Sequence, residues 1–105
     1  MVMINIVKIS RALGDPVRYK IMLLLANSES DCCPQPGTNG EPLGLCNCEI
    51  MAHTGMIQSR VSYHMKELTE AGLVTEEQRG KWKYYYINTA TLKDHAGQIK
   101  TDLCR

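Results

Sequence analysis

Gln58-Ser59-Arg60-Val61-Ser62-Tyr63-His64-Met65-Lys66-Glu67-Leu68-Thr69-Glu70-Ala71-Gly72 sets Val61, Met65 and Leu68 at helical spacing, with glycine where helices commonly end. The pattern predicts a helix from Ile57 to Ala71. Just upstream, Cys48 to His53 can form a short helix and Thr54-Gly55 a turn. Downstream, Leu73 to Glu77 and Trp82 to Ile87 are rich in β-branched and aromatic residues and meet at Arg79-Gly80, which predicts a β-hairpin. Short helix, tight turn, longer helix and hairpin, in that order, predict a winged helix-turn-helix whose second helix enters the major groove of double-stranded DNA.

The polar residues fit that placement. With Val61, Met65 and Leu68 turned inward, Gln58, Ser59, Ser62 and Tyr63 project outward near the helix N-terminus, offering short hydrogen-bonding groups to base edges and phosphates. Arg60 lies in the same run, and His64 and Lys66 are expected to flank it. Arg79, Lys81 and Lys83 gather positive charge at the hairpin tip, as a wing following the phosphate backbone requires.

Outward from this unit the chain stays helical. Val2, Ile6, Ile9 and Leu13 form a helical stripe that Ile4 and Val7 widen beyond the needs of a small monomer, so residues 2–13 are expected to dock on a partner. Gly14 closes this helix, and Asp15-Pro16 opens another whose buried face is expected to be Val17, Ile21, Leu24 and Leu25. Thr89 to Leu103 carries Leu92, Ala96, Ile99 and Leu103 at 3–4 spacing and predicts a last amphipathic helix ending at Cys104. Between Asn27 and Leu45 the periodicity disappears. That stretch holds three of the four prolines, three of the eight glycines, three acids and no base, and reads as a long loop carrying Cys32-Cys33. The expectation is one mainly α domain over residues 1–105, α+β by virtue of its hairpin, with a cysteine-bearing loop at 27–45.

At 105 residues, with 44% hydrophobic content, no Phe and one Trp, the chain supports one small core and excludes a multidomain enzyme. Its apolar runs, such as Ile21 to Ala26, fall far short of the roughly 20 residues of a membrane span. Met1 to Val7 lacks the charged start of a secretion signal, so a cytoplasmic protein is expected. Twelve Lys+Arg against eleven Asp+Glu give +1, which confers no general affinity for polyanions. Any nucleic-acid binding must come from local arrangement. Five cysteines leave one unpaired whatever the pairing, and in a reducing compartment they read as metal or redox ligands. A thiol-disulfide enzyme would normally show Cys-x-x-Cys within a βαβ pattern, which is absent.

Several separated segments resemble the ArsR/SmtB family of metalloregulatory repressors: Ala12-Leu13-Gly14-Asp15-Pro16-Val17-Arg18, Leu45-Cys46-Asn47-Cys48-Glu49-Ile50, Gln58 to Lys66, Glu70-Ala71-Gly72-Leu73-Val74 and Arg79-Gly80-Lys81-Trp82. They occur in the family's order across roughly residues 10–88. The resemblance implies a homodimer joined through its terminal helices, which binds operator DNA and leaves it when a toxic metal or metalloid ion binds. It also aligns Cys46 and Cys48 with the Cys-x-Cys of arsenic-sensing members. The third thiol those members can carry three residues later is Met51 here, so a third sulfur would come from Cys32, Cys33 or Cys104. Soft thiolates favour soft ions and trivalent arsenic or antimony takes three sulfurs, which makes arsenite or antimonite the first expectation. A Cd, Zn or Pb sensor, or a repressor switched by thiol oxidation, would use the same fold.

Overall fold

The computed structural model describes residues 3–27, 45–80 and 82–104. Within them lie α1 (Met3–Leu13), α2 (Pro16–Ala26), β1 (Leu45–Cys46), α3 (Asn47–Thr54), α4 (Gln58–Glu70), β2 (Val74–Arg79), β3 (Trp82–Ile87) and α5 (Thr89–Leu103). Residues 28–44, with Cys32 and Cys33 of the expected loop, lie outside this set, as does Lys81.

Local chemistry explains most of the boundaries. The Asp15 carboxylate accepts the backbone N–H groups of Val17 at 2.8 Å and Arg18 at 3.2 Å, and Pro16 fills the first helical position, where no N–H is needed. Helix α4 ends in a Schellman motif: Leu73 N–H donates to the Leu68 carbonyl at 3.1 Å and Gly72 N–H to that of Thr69 at 3.0 Å. This closure requires Gly72 at φ +80°, a conformation that side chains resist. Leu68 and Leu73, the two ends of the motif, are both fully buried.

The sheet is antiparallel in the order β1-β3-β2. The hairpin register runs from Val74 opposite Ile87 to Arg79 opposite Trp82, and Gly80, at φ +61°, follows the end of β2. Strand β2 therefore starts one residue later and ends two residues later than periodicity predicts. Strand β1 was not expected at all. Leu45, assigned to the loop, pairs with Tyr85, and Cys46 pairs with Tyr84.

The core joins Ile9 and Ala12 of α1 and Ile21, Met22 and Leu25 of α2 to Val61, Met65 and Leu68 of α4. On α2 the buried set is Arg18, Ile21, Met22 and Leu25, while Val17 and Leu24 are half-buried. This helix touches α1, α3, α4 and β3, so its covered face is broader than one stripe and turned toward Met22. Helix α5 spans Thr89 to Leu103 with Cys104 at its C-cap, as the spacing predicts, and its stripe is largely uncovered: among its residues only His95 is buried, Leu92 and Ile99 are half-buried, and Leu103 is 76% exposed.

Candidate DNA interface and thiol pair

Three residues, Gly55, Met56 and Ile57, join α3 to α4. Gly55 takes the left-handed conformation at φ +72°, and its N–H donates to the Met51 carbonyl at 2.8 Å. Thr54 Oγ1 donates to the Ile50 carbonyl and accepts from Met56 N–H, fixing the corner on both sides. Ile57 stands at the N-cap of α4, and its apolar side chain cannot accept a hydrogen bond there. The first turn of α4 thus has no side-chain cap.

Outward from this turn Gln58, Ser59, Arg60, Ser62, Tyr63 and Lys66 are all exposed, whereas Val61, Met65 and Leu68 are buried. His64 departs from expectation. It is only 5% exposed, so it lies inside the domain and does not flank the outward face. Its position is three residues from Val61 and four from Leu68, which places it on the buried stripe. Its Nδ1 lies 3.2 Å from Nη1 of Arg18, and burial holds its pKa below the ordinary value, with Asp15 pulling the other way. Arg18 was missed as a structural residue, although it precedes Ile21 by three positions and Leu25 by seven, a spacing that marks the covered face.

On the wing, Lys83 Nζ lies 3.4 Å from Glu76 Oε2 on the neighbouring strand, so its charge is shared with a carboxylate, not held free for phosphate. Gln78 Nε2 donates to the Gly80 carbonyl at 3.0 Å and shapes the turn. The side chain of Arg79 and the whole of Lys81 lie outside the described residues.

Cys46 and Cys48 converge at the N-terminus of α3 and form a disulfide, with Cα atoms 5.4 Å apart. Cys46 is fully buried against Tyr84, and half-buried Cys48 and Tyr86 complete that small cluster. Oε1 of buried Glu49 lies 3.9 Å from Cys46 Sγ. The pair touches both parts of the expected DNA-reading unit: Cys46 pairs with β3, the partner strand of the wing, and α3 packs on α4. Cys104 is exposed at the C-cap of α5 and is not in a disulfide. Among the described residues no group of three His, Cys, Asp or Glu side chains is placed to hold a metal ion. No helix among them is long and apolar enough to cross a membrane.

The winged helix-turn-helix so defined matches known proteins in both sequence and shape. A family model described as bacterial regulatory protein, arsR family, covers residues 42–76. An arsenical resistance operon repressor of Bacillus subtilis is 32% identical over 94 residues, which are 90% of this chain and 73% of that protein. A candidate arsenical resistance operon repressor of Halobacterium salinarum is 34% identical over 74 residues, 70% of this chain. The chain spans about half of that relative, 51% of its length. The solution structure of a homodimeric winged helix-turn-helix DNA-binding domain from Mycobacterium bovis, a possible ArsR-family regulator, superposes with a TM-score of 0.67. It is 23% identical, and the match covers 93% of this chain and 79% of that one. The family model and these relatives are of regulators of transcription. The chain belongs to the ArsR family of bacterial regulatory proteins.

Proposed function

We propose that this protein is a cytoplasmic repressor that binds operator DNA as a homodimer and releases it when trivalent arsenic or antimony is captured by cysteine thiolates. Gln58, Ser59, Arg60, Ser62, Tyr63 and Lys66 would meet the DNA through α4, with the uncapped first turn of that helix supplying N–H groups to a phosphate. Arg79, Lys81 and Lys83 would follow the backbone from the wing, Lys83 after parting from Glu76. An open apolar face on α1 and α5 favours dimerisation. It includes half-buried Ile6 and Ile99, exposed Val7 and Leu103, and an open groove of about 790 Å³ that all four line. A dimer supplies the two reading heads that a two-fold operator needs.

The observation that carries the inducible part is the place of Cys46. It is paired to the wing sheet through β3 and starts the helix that packs on α4, so a change at its sulfur strains both parts of the reading unit. Cys46 and Cys48 would supply two sulfurs, and Cys32, Cys33 or Cys104 the third. Any ion that prefers the rearranged form must lower DNA affinity by the same factor. The homologous arsenical resistance repressors favour arsenic over Cd or Zn. The Cys46–Cys48 disulfide favours a second reading, in which a peroxide takes two electrons and two protons from the dithiol, forming the S–S bond and water, and thereby switches the repressor.

Titrating the reduced protein on its promoter DNA with arsenite, antimonite, Cd²⁺, Zn²⁺ and peroxide separates these readings. Release by arsenite or antimonite that fails in Cys46→Ser and Cys48→Ser is the expected result. Release by peroxide alone, reversed by reductant, replaces it with the redox reading. Normal arsenite release in both serine variants overturns the site.

A further inference from the structure

Arg18 is 8% exposed, and its guanidinium reaches three elements. Nε donates to the carbonyl of Ala12 in the last turn of α1 at 2.9 Å, Nη1 lies 3.2 Å from His64 Nδ1 on α4, and Nη2 lies 3.9 Å from Asp15 Oδ2 at the cap of α2. A guanidinium has donors and no acceptor, so His64 Nδ1 must be the acceptor. The ring proton of His64 therefore sits on Nε2 and the imidazole is neutral. The next residue toward the N-terminus, Tyr63, is exposed, and its ring stands edge-on to His64 at 5.1 Å between centroids.

The apolar seam of Val61, Met65 and Leu68 is non-directional and tolerates some rotation of α4 about its axis. A planar fork holding a ring nitrogen does not. We propose that Arg18 and His64 are positioning residues for DNA reading, their hydrogen bond fixing the rotation of α4 and hence the aim of Gln58, Ser59 and Ser62, with neither residue touching DNA. The inference rests on the DNA-binding reading above. It also links α1, which carries the proposed dimer face, to the reading helix through a single side chain.

A proton on Nδ1 would break this bond and set a second cation against Arg18. The groups around the ring are Asp15 and Arg18 from the α1–α2 corner and Arg60 and Glu67 from α4 itself, two carboxylates against two guanidinium groups. The formal charges cancel, and burial, the largest influence on the ring, disfavours the added proton. Operator affinity should therefore be level near neutrality and fall on acidification below the ordinary histidine range, about 6.5.

The test measures binding of the full chain to its operator duplex and to a scrambled duplex, across pH and salt, for the wild type, His64→Leu and His64→Asn. Asn can place an amide oxygen where Nδ1 lies and does not titrate. His64→Leu is expected to lose roughly tenfold or more in operator affinity, as misaimed base contacts imply, with scrambled-duplex affinity and salt slope unchanged. His64→Asn should restore most of that affinity and abolish the acid-side fall. Nitrogen NMR of the imidazole should show Nδ1 unprotonated at neutral pH. Full operator affinity in folded His64→Leu overturns the proposal, and so does an equal loss on both duplexes. Should His64→Leu not fold, Arg18→Lys, which keeps the charge and loses the fork, is read by the same criteria. A wild type that does not distinguish the two duplexes overturns the DNA-binding reading itself, whereas a discriminating wild type with indifferent variants overturns this inference alone.

Discussion

Helices α4 and α5 announce themselves in the sequence by the same signal, apolar residues three and four apart, yet they end in opposite situations. On α4 the stripe is closed: Val61, Met65 and Leu68 are buried to within about 1% by α1, α2, α3 and the start of the hairpin. On α5 the stripe is open, with Leu92 and Ile99 half-buried, Ala96 exposed and Leu103 at 76% exposure. Buried His95 meets Ser10 Oγ of α1 through Nε2 at 3.3 Å, while its Nδ1 has no hydrogen-bond partner among the described residues. Periodicity states which face of a helix is apolar. It does not state whose atoms cover it.

The largest effect expected from this contrast is on folding. Leu68→Ala removes a fully buried side chain while leaving the backbone bonds that close the helix, and should cost about 2–5 kcal/mol in urea or thermal unfolding. Leu103→Ala, at the same period on α5, should change the stability of dilute protein by less than about 0.5 kcal/mol. Comparable losses at the two sites would break the comparison, because α5 would then be covered within its own chain.

The next effect is on assembly. Val7 is 49% exposed beside the groove shared by α1 and α5, so Val7→Asp places a charge on the proposed dimer face without entering the core. Sedimentation should show monomers that unfold like dilute wild type and have lost tight operator binding. A persistent dimer with intact operator binding would place the subunit contact elsewhere.

A smaller effect belongs to the outward side of α4. Ser59→Ala or Gln58→Ala should weaken operator binding by about 1–3 kcal/mol while leaving the unfolding midpoint in place, since both side chains are exposed. Unchanged affinity in both variants would remove α4 from the readout.

The same contrast explains what could be read from the sequence. Local chemistry was legible: the Asp15-Pro16 start of α2, Gly72 after α4 and the spacing of Val61, Met65 and Leu68 each report a decision made within a few residues. Strand β1 was not legible, because two residues pairing with Tyr84 and Tyr85 carry no period of their own. The burial of His64 and Arg18 was half legible. Their spacing put both on covered faces, but polarity argued for exposure, and the resolution lies in each finding the other across 46 residues of chain. For the thiols, the family resemblance brought Cys46 and Cys48 together as ligands, whereas their disulfide was not foreseen and the attachment of Cys46 to the wing sheet depends on that unforeseen strand.

The smallest effect sharpens the comparison by pH, because the closed half of the molecule contains two groups that titrate differently in the folded and unfolded chain. At Asp15 the N–H of Arg18, followed by that of Val17 and the guanidinium charge, holds the carboxyl below its ordinary 3.8 against an opposing cost of burial. The folded state thus prefers the carboxylate, and this contribution is complete above 3.8 and is lost as pH falls through the lowered native value. At His64, burial favours the neutral ring, so the unfolded chain takes up a proton near 6.5 before the folded chain does. That contribution is complete above 6.5 and drains as pH falls from there toward the lowered native value. Acidification should therefore weaken the fold in two windows, His64 in the upper and Asp15 in the lower. Asp15→Ala should lose about 1 kcal/mol at neutral pH through the missing cap, while Asp15→Asn keeps an acceptor, stays close to wild type there and declines less steeply in acid. His64→Asn should flatten the upper window and leave the lower one. Urea midpoints measured from pH 8 to pH 3 decide the matter: if both asparagine variants follow the wild-type curve throughout, neither group couples folding to protons, and the Arg18 junction is held by packing alone.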